Sequence, residues 1–328
     1  MAAPASGVRH PLHHDPILTV TPNPALDVST SVAQVVPEHK MRCGPTELDP
    51  GGGGVNVSRV VRNLGGRSTA VYVVGGPTGQ AYRELLERAG IVGRAVRIRA
   101  STRESFTVDE TSTGAQFRFV LQGPTLREPE WRALLSAVGD DMPSGGYVVA
   151  SGSLPPGAPE DLYARIARIA RERGTRCVVD TSGPALRAAL DEGVFLVKPS
   201  RRELGELLGV HIDDDPAMRD AARELVRSGR CEIVALTLGE RGAALVTRDR
   251  TLALDSPRVA VRSTVGAGDA FLGALVLRLA QGRGPAAAFR TAVCAGSATA
   301  MLPATDLCRA EDVDRLYAAM VLPPEPVL

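Results

Sequence analysis

The feature of this chain that most constrains its fold is a repeated alternation between short apolar runs and segments with helical periodicity. Runs such as STAVYVVGG and RCVVDTS each pass directly into small or polar residues, and a helical segment follows before the next run. Alternation of this kind is typical of βαβ units, whose strands lie parallel in one sheet with helices on its faces. The sequence therefore predicts an α/β fold of three layers, α/β/α, around a mostly parallel central sheet.

The helices are predicted from the spacing of apolar residues and from glycines at their ends. In VNVSRVVRNLGG, the residues Val57, Val60, Val61 and Leu64 recur at i, i+3, i+4 and i+7, and a glycine pair ends the pattern. The same reasoning predicts a helix in TGQAYRELLERAG. The remaining predicted elements are helices over 158–173, 183–191, 200–208 and 215–228, and a strand over Pro257–Thr264.

Two segments depart from this alternation and predict a second, smaller sheet. Residues 28–48 and 101–122 lack helical periodicity, and Phe117, Phe119 and Leu121 alternate with their neighbours as in a strand. We interpret these segments as a small antiparallel sheet that stands off the main domain as a lid, which would exclude water from a reaction. Decorative hairpins without a function are the alternative.

Length, charge and cysteine content narrow the classes of function. The 328 residues suit one large domain, and we predict a flexible tail over residues 1–16 before a single domain over 17–328. The 38 basic and 37 acidic residues nearly cancel, so no overall field favours nucleic acid or a membrane surface. No apolar run approaches the roughly 20 residues of a membrane span. The five cysteines lack CxxC spacing, which indicates reduced thiols and a cytoplasmic protein.

Polar residues follow four of the predicted strands directly. Ligands of open parallel sheets bind at the carboxyl ends of the strands, so these residues outline one site. Lys198 is among them, and it is one of only two lysines in the chain, the other being Lys40. A lysine offers a compact, mobile charge that arginine does not, which draws attention to both. The residues at the strand ends are Ser151–Ser153, Asp180, Lys198–Ser200 and Thr237–Gly239.

The stretch RSTVGAGDAF places three small residues and one carboxylate at the start of an apolar helix. The first N–H groups of a helix have no intrahelical acceptor, so a phosphate can approach Gly266, Ala267 and Gly268 closely. Asp269 would lie beside that anion, where it can accept a proton from an attacking hydroxyl. The alternative is an ordinary first-turn carboxylate, which the helix dipole favours by about 0.3–1 kcal/mol.

Two further motifs mark the starts of helices. In PGGGGVN the glycines can bring backbone N–H groups close to a ligand, while Asn56 supplies an amide where a dinucleotide-binding fingerprint would need glycine. Neither a P-loop nor a GxSxG motif occurs. In KPSRRE, Ser200 and Glu203 have the spacing of a capping box. Glu203 can alternatively hold a hydrated Mg²⁺.

These motifs, in this order, resemble those of the ribokinase-like, PfkB-type sugar kinases. GGGGVNVSRVVRNLGG and STVGAGDAF carry the likeness, with TPNPALD, KMRC, SGSLPPG, VKPSRREL and LTLGERGA between or before them. The likeness covers about residues 17–320. It implies ATP-dependent phosphorylation of a ketohexose phosphate. Fructose 6-phosphate is the favoured substrate, and fructose 1-phosphate and tagatose 6-phosphate are the alternatives. A sugar-phosphate sensor without turnover is the alternative from another class, and the presence of Asp269 with its glycines counts against it.

The resemblance also implies a role for each candidate residue. Asp269 would be the general base and Gly266–Gly268 the anion hole. The phosphosugar would be bound by Asp27, Lys40, Arg42, Gly52, Gly53, Asn56, Arg103, Arg118 and Ser153. The nucleotide would lie against Lys198, Ser200, Thr237, Gly239 and Gly242. Mg²⁺ would be organised by Asp180 and Glu203.

The resemblance extends to assembly and ions. The edges and apolar side chains of the lid predict a homodimer, with a monomer that has a one-sided lid as the alternative. The resemblance implies that the lids interlock and that some lid cations reach the partner's site. A phosphorylated substrate needs such cations and a nucleoside does not, which counts against a nucleoside kinase. The family's magnesium motif usually begins with Asn where this chain has Ser200. K⁺ is also implied, although MLPATD at residues 301–306 lacks the glycine often found in the cation loop.

Overall fold

The structure, a computed structural model, describes residues 14–210, 212 and 214–320. Residues 1–13 of the predicted flexible tail lie outside the described part. The strands are β1 (Ile17–Thr21), β2 (Ala25–Val32), β3 (Glu47–Gly51), β4 (Thr69–Val74), β5 (Val92–Arg97), β6 (Arg103–Glu110), β7 (Gln116–Val120), β8 (Tyr147–Ser151), β9 (Arg176–Asp180), β10 (Val194–Val197), β11 (Cys231–Thr237), β12 (Ala243–Val246) and β13 (Thr251–Leu254). The helices are α1 (Gly53–Asn63), α2 (Gly76–Arg88), α3 (Glu128–Asp141), α4 (Leu162–Glu172), α5 (Gly183–Glu192), α6 (Arg201–Leu208), α7 (Asp215–Arg227), α8 (Ala267–Ala280), α9 (Pro285–Ala300) and α10 (Ala310–Ala319).

The larger sheet has nine strands in the order β13-β12-β11-β10-β9-β8-β1-β4-β5. The seven strands from β11 to β5 are parallel neighbours, whereas β12 and β13 are antiparallel additions at one edge. The strands predicted from YVVASGS, RCVVDTS, VFLVKPS and EIVALTLG are β8 to β11. The structure therefore confirms the predicted α/β fold and its mostly parallel sheet.

Helices cover both faces of this sheet and complete the three layers. On one face the core contains side chains of α3 to α7, among them Leu134 and Ile166. On the other face it contains side chains of α1, α8, α9 and α10, among them Val60 and Phe289. Parallel strands that are covered on both faces are apolar at every position, and β8 is buried over its whole length for this reason.

Helix α8 lies between α1 and α9 and is buried around most of its circumference. Its residues from Ala270 to Leu277 are all buried, and Phe271 packs edge to face on Phe289 at 6.1 Å between ring centroids. A helix that is apolar all round is stable only inside the protein. The packing therefore carries the start of α8, with Asp269, to the carboxyl edge of the sheet.

The smaller sheet has the order β3-β2-β6-β7 and confirms a separate lid sheet. The prediction that it is antiparallel is wrong for its central pair, because β2 and β6 run parallel. The reason is topological: β2 follows β1 and β6 follows β5, and β1 and β5 point the same way in the larger sheet. The lid strands also extend beyond the predicted segments, to Ala25 and Gly51.

The strand predicted over Pro257–Thr264 is also wrong. This segment has no regular structure, and the N–H groups of Arg262 and Ser263 donate to the Ala300 carbonyl at the end of α9. The predicted helices, in contrast, match α1, α2 and α4 to α7 within a few residues at each end. Among the described helices, none has both the length and the apolar character that crossing a bilayer requires.

Candidate active site

A cavity of about 350 Å³ lies between the carboxyl ends of the central strands and the lid sheet. Ser151, Asp180 and Lys198 line it from β8, β9 and the end of β10. The structure thus brings together most of the residues that the sequence singled out, although they come from distant parts of the chain. The predicted residues that line this cavity are Asp27, Gly52, Gly53, Asn56, Arg103, Arg118, Ser153, Asp180, Lys198, Glu203, Gly266 and Asp269.

The start of α8 forms one wall of the cavity. Gly266 precedes the helix with φ of 74°, a left-handed conformation that favours glycine. The N–H of Ala267 donates to Thr264 O at 3.3 Å, whereas the N–H groups of Gly266, Gly268 and Asp269 have no acceptor among the described residues. Two donors of the predicted Gly266–Gly268 set are therefore free, the N–H of Asp269 adds a third, and together they leave a place where an anion can bind.

Asp269 lies at the third position of α8 with its carboxylate held by an amide. Asn56 Nδ2 donates to Asp269 Oδ2 at 2.8 Å. Burial and the nearby Asp180 raise the pKa of Asp269 to about 6, against the opposing effects of Asn56, Lys198 and Arg118. The carboxyl is therefore ionised at neutral pH and close to the pH at which it can exchange a proton.

Lys198 and Asp180 form a buried ion pair in the cavity floor. Lys198 Nζ lies 3.1 Å from Asp180 Oδ1, and the two side chains are 9% and 14% exposed. Burial raises the pKa of Asp180, although Lys198 opposes this. Burial lowers the pKa of Lys198, but Asp180 and Asp269 outweigh that effect and raise it. A Cβ added at Gly268 would lie 3.4 Å from Lys198 Nζ, so the ammonium group lies beside the helix start.

The lid contributes one polar face to the cavity. Asp27, Ser105 and Arg118 lie on that face in neighbouring strands. Burial raises the pKa of Asp27 to about 6, against the lowering effect of Arg59. Arg103 donates to Leu121 O at 3.0 Å and to Asn23 O at 3.1 Å. The guanidinium groups of Arg103 and Arg118 and the carboxylate of Asp27 therefore face the cavity from the lid sheet.

Glycines allow α1 to start against the end of β8. Gly52 has φ of 117°, and a Cβ added at Gly53 would lie 2.2 Å from Ser151 Oγ. Any side chain at these two positions would push the lid strand β3 and α1 away from the sheet. The PGGGGVN motif is thus explained by close backbone approach, and it places Asn56 beside Asp269.

The predicted nucleotide residues form a second group next to Lys198, outside the cavity lining. Thr237 pairs with Ser200 across the ends of β11 and β10, and Gly239 and Gly242 form the turn that leads into β12. Ser200 caps α6: its Oγ donates to Glu203 Oε2 at 2.9 Å and accepts from Glu203 N at 3.3 Å. The capping-box interpretation of this motif is therefore confirmed.

Two of the predicted substrate residues lie apart from this cavity. Lys40 and Arg42 are exposed on the segment between β2 and β3, and neither lines the cavity of its own chain. The sequence also missed residues that do lie at the site: Ser105, Thr107 and Thr305 line the cavity, and Arg59 contacts Asn56. A charged residue inside an apolar helical repeat was the available signal for Arg59.

The carboxylates near the cavity fit a hydrated magnesium ion rather than a bare one. Within the described ranges, no three His, Cys, Asp or Glu side chains gather as a ligand set. One Glu203 oxygen is engaged by the cap of α6, and both Asp180 oxygens have protein partners. Mg²⁺ keeps several of its waters in proteins, so Asp180 and Glu203 suit contacts through those waters.

Comparison with known proteins agrees with this geometry. Residues 25–311 match the pfkB family of carbohydrate kinases. The chain belongs to this family. It is 45% identical over 309 residues to the ATP-dependent 6-phosphofructokinase isozyme 2 of Mycobacterium tuberculosis, which covers 94% of this chain and 91% of the relative. The isozyme 2 of Escherichia coli is 39% identical over 303 residues, covering 92% and 98%. A 1-phosphofructokinase of Bacillus subtilis is 31% identical over 284 residues, covering 87% and 92%.

Solved structures of sugar kinases also resemble the fold of this chain. Phosphofructokinase-2 from Escherichia coli in complex with substrates and products superposes with a TM-score of 0.90 at 38% identity, over 93% of this chain and 99% of that chain. A ribokinase of Arabidopsis thaliana superposes with a TM-score of 0.70 at 17% identity and shares the fold. The predicted ribokinase-like fold, the PfkB family and an ATP-dependent sugar kinase are confirmed.

Alanine substitutions at the two ends of α8 can distinguish a catalytic role of the helix start from a general effect of backbone strain. Gly266 and Gly282 have φ of 74° and 73°, so alanine at either costs about 1–2 kcal/mol of strain. Only at Gly266 would the Cβ clash, lying 2.6 Å from Leu307 Cδ2 beside the free N–H groups. We expect Gly266→Ala to lower kcat at least about 10-fold and Gly282→Ala to leave it unchanged, with urea unfolding measured on both. Equal kcat values would contradict this account of the helix start.

Proposed function

We propose that this kinase transfers the γ-phosphoryl group of ATP to the C1 hydroxyl of fructose 6-phosphate, forming fructose 1,6-bisphosphate and ADP. The observation that carries the proposal is the carboxylate of Asp269 beside the free N–H groups of Gly266, Gly268 and Asp269, under a lid that presents Arg103 and Arg118. The two isozyme 2 relatives, at 45% and 39% identity, are 6-phosphofructokinases and support the choice of substrate.

Asp269 acts as the general base in this proposal. The sugar oxygen forms a bond to the γ-phosphorus while the bond from phosphorus to the ADP oxygen breaks, and the hydroxyl proton passes to Asp269. Negative charge on the transferring group is stabilised by the free N–H groups of Gly266, Gly268 and Asp269 and by the Lys198 ammonium. Asn56 keeps the Asp269 carboxylate directed at the hydroxyl.

The phosphosugar is held between the lid and the start of α1. Asp27 and Asn56, with the backbone at Gly52 and Gly53, bind its hydroxyls. Its phosphate lies against Arg103, Arg118 and Ser153. Binding of that phosphate is the reason for a cationic lid, since a neutral sugar needs no guanidinium group.

ATP lies along the second group of residues, over Lys198, Ser200, Thr237, Gly239 and Gly242. Asp180 and Glu203 hold a hydrated Mg²⁺ by its waters. When bound, Mg²⁺ neutralises charge on the β- and γ-phosphates. K⁺ is proposed as an activator near residues 301–306, because this loop adjoins the start of α8 through the bond from Ser263 Oγ to Ala304 O at 2.8 Å.

A homodimer through the lid completes the site. On the lid face opposite Asp27 and Ser105, Leu48, Val28, Phe106 and Phe119 form one row across the four strands, and Phe106 also borders the cavity. Leu48, Phe106 and Phe119 are 46%, 36% and 53% exposed, which is unusual for a contiguous apolar row. A second lid packed on this row would bring the partner's exposed Lys40 and Arg42 towards the phosphosugar.

The cysteines support a cytoplasmic location for the enzyme. All five are free thiols, and four of them are buried.

A phosphosugar panel tests the proposed reaction. With ATP and Mg²⁺, ADP release should be fastest with fructose 6-phosphate, compared with fructose 1-phosphate and tagatose 6-phosphate. Asp269→Asn should lower kcat about 10²–10⁴-fold with the KM values nearly unchanged, because only proton transfer is lost. Higher kcat/KM with fructose 1-phosphate would replace the proposed substrate, and an unchanged rate for Asp269→Asn would refute its role as base.

The pH dependence follows from the raised pKa of Asp269. With a pKa of about 6, the carboxyl is protonated below pH 6 and cannot accept the hydroxyl proton. We therefore expect kcat/KM for fructose 6-phosphate to be constant near pH 8 and to fall at least about 10-fold per pH unit below the pKa, because Asp27 at the sugar site also has a pKa of about 6. A flat profile down to pH 5, measured with the stability of the protein verified at each pH, would contradict this assignment.

The lid row predicts the assembly. Phe119→Glu should convert a dimer to a monomer in sedimentation velocity at micromolar concentration, because it buries a charge in an apolar contact. It should also raise the KM for the phosphosugar more than the KM for ATP, since Lys40 and Arg42 would then be withdrawn. Val92→Glu, at a 69% exposed position of β5, is the matched control. A wild-type protein that sediments as a monomer with and without ligands would refute the dimer.

A further inference from the structure

The guanidinium group of Arg59 joins three parts of the chain behind the active site. Arg59 lies on α1, one turn after Asn56. Its Nη2 donates to Asp49 Oδ1 at 2.8 Å, and its Nη1 donates to Pro50 O at 3.2 Å. The same Nη1 donates to Asn56 Oδ1 at 3.3 Å. Asp49 and Pro50 belong to β3, so one side chain connects the lid sheet with the helix that carries Asn56.

The ion pair is fixed from its other side as well. Thr305 Oγ1 donates to Asp49 Oδ2 at 2.7 Å, and Thr305 itself lines the active-site cavity. The side chains of Arg59 and Asp49 are only 13% and 21% exposed. Both carboxylate oxygens of Asp49 are thus engaged, which holds the guanidinium in one orientation.

This orientation determines which end of the Asn56 amide faces Asp269. Arginine has only donors, so the Asn56 atom that faces Arg59 has to be the carbonyl oxygen. The amide nitrogen then points to Asp269 and donates to its carboxylate. A flipped amide would place its oxygen against the Asp269 carboxylate and its NH₂ group against the guanidinium, and both contacts are repulsive.

We propose that Arg59 is a positioning residue for phosphoryl transfer, and that it acts through Asn56 to keep the Asp269 carboxylate oriented and hydrogen-bonded. The inference rests on the proposed function, because it concerns the same general base. It adds a third residue behind the pair of Asn56 and Asp269 and connects that pair to the lid.

The charges around Asp269 come from other elements and help to isolate this effect. Asp180 at the end of β9, Lys198 after β10 and Arg118 in β7 are the charged groups with the largest effects on the pKa of Asp269. The charge of Arg59 lowers the pKa of Asp27 on the lid. The hydrogen bond from Arg59 to Asn56 connects Arg59 to Asp269 through the Asn56 amide.

A double-mutant cycle between Asn56 and Arg59 tests the inference. Asn56→Ala and Arg59→Met should each lower kcat about 10-fold and raise the midpoint of the acid limb of kcat by about 0.5–1 pH unit. The double variant should lie within about twofold of Asn56→Ala alone, because the two residues act in series. Losses that multiply to about 100-fold would overturn the proposal.

Two further variants separate positioning from charge and from folding. Arg59→Lys keeps the charge opposite Asp49 but not the fork that reaches Asn56, so kcat should fall about fivefold or more with the stability retained. A wild-type acid limb in Arg59→Lys would overturn the proposal. Arg62→Met removes an exposed arginine of the same helix that donates to Gly90 O, and should match the wild type.

A measurement without turnover keeps this inference distinct from the proposed function. The pKa of Asp269 can be followed by ¹³Cγ NMR of the substrate-free protein, with Asp269→Asn for the assignment. It should rise in Arg59→Met and show no further rise when Asn56→Ala is added. A wild type inactive on every phosphosugar would refute the proposed function alone, and an unchanged Asp269 pKa in Arg59→Met would refute this inference alone.

Discussion

The structure depends on how two carboxylates and one ammonium group are held together at the buried start of a helix. Asp180 pairs with Lys198, and Asp269 lies close enough for the negative charge of Asp180 to raise its pKa. Neither carboxylate would be stable there alone, because burial penalises an unpaired charge. The Lys198 ammonium and the free N–H groups of α8 offset that penalty. The same balance leaves Asp269 ionised at neutral pH but with a raised pKa of about 6. A carboxylate with such a pKa is suited to accept the proton of an alcohol.

The lid shows how one short sheet can serve two purposes. Successive side chains of a strand point to opposite faces, so Asp27, Ser105, Thr107 and Arg118 share one face of the lid sheet. In β6, Phe106 lies between Ser105 and Thr107 and belongs to the opposite face, although it also borders the cavity. In the proposed function, substrate binding and dimer assembly use opposite faces of the same strands, and a shift of register by one residue would exchange the two faces.

Features that depend on local periodicity could be predicted from the sequence. The strands β8 to β11 and helix α1 follow from apolar runs, helical spacing and glycine ends. The parallel pairing of β2 and β6 could not be predicted, because it is fixed by the direction of two distant strands of the other sheet. The failed strand at Pro257–Thr264 had a suitable pattern but pairs with no neighbouring strand, and its backbone bonds to α9 instead.

The site was predicted where motifs mark it and missed where contacts are long-range. The glycines around Asn56 and Asp269 predict that the backbone approaches its neighbours closely there. The side chains of Asn56 and Asp269 both line the cavity, as predicted. Thr305 has no local signal, since its role depends on Asp49, 256 residues away in the chain. The resemblance assigns Lys40 and Arg42 to the phosphosugar, but a sequence motif does not indicate whether a side chain lies at the site of its own chain or of a partner.

The motif at Ser200 shows that structural and functional interpretations of one residue can both hold. Ser200 and Glu203 form a reciprocal cap, in which the backbone N–H and the Oγ of Ser200 both donate to Glu203 Oε2. The cap fixes the Glu203 carboxylate at the cavity, because a capped first turn restricts the side chain at its third position. Only Oε2 is engaged by the cap, so Oε1 can still accept from a metal-bound water. Serine therefore orients the glutamate through the cap, which keeps Glu203 available for the hydrated Mg²⁺ of the proposed function.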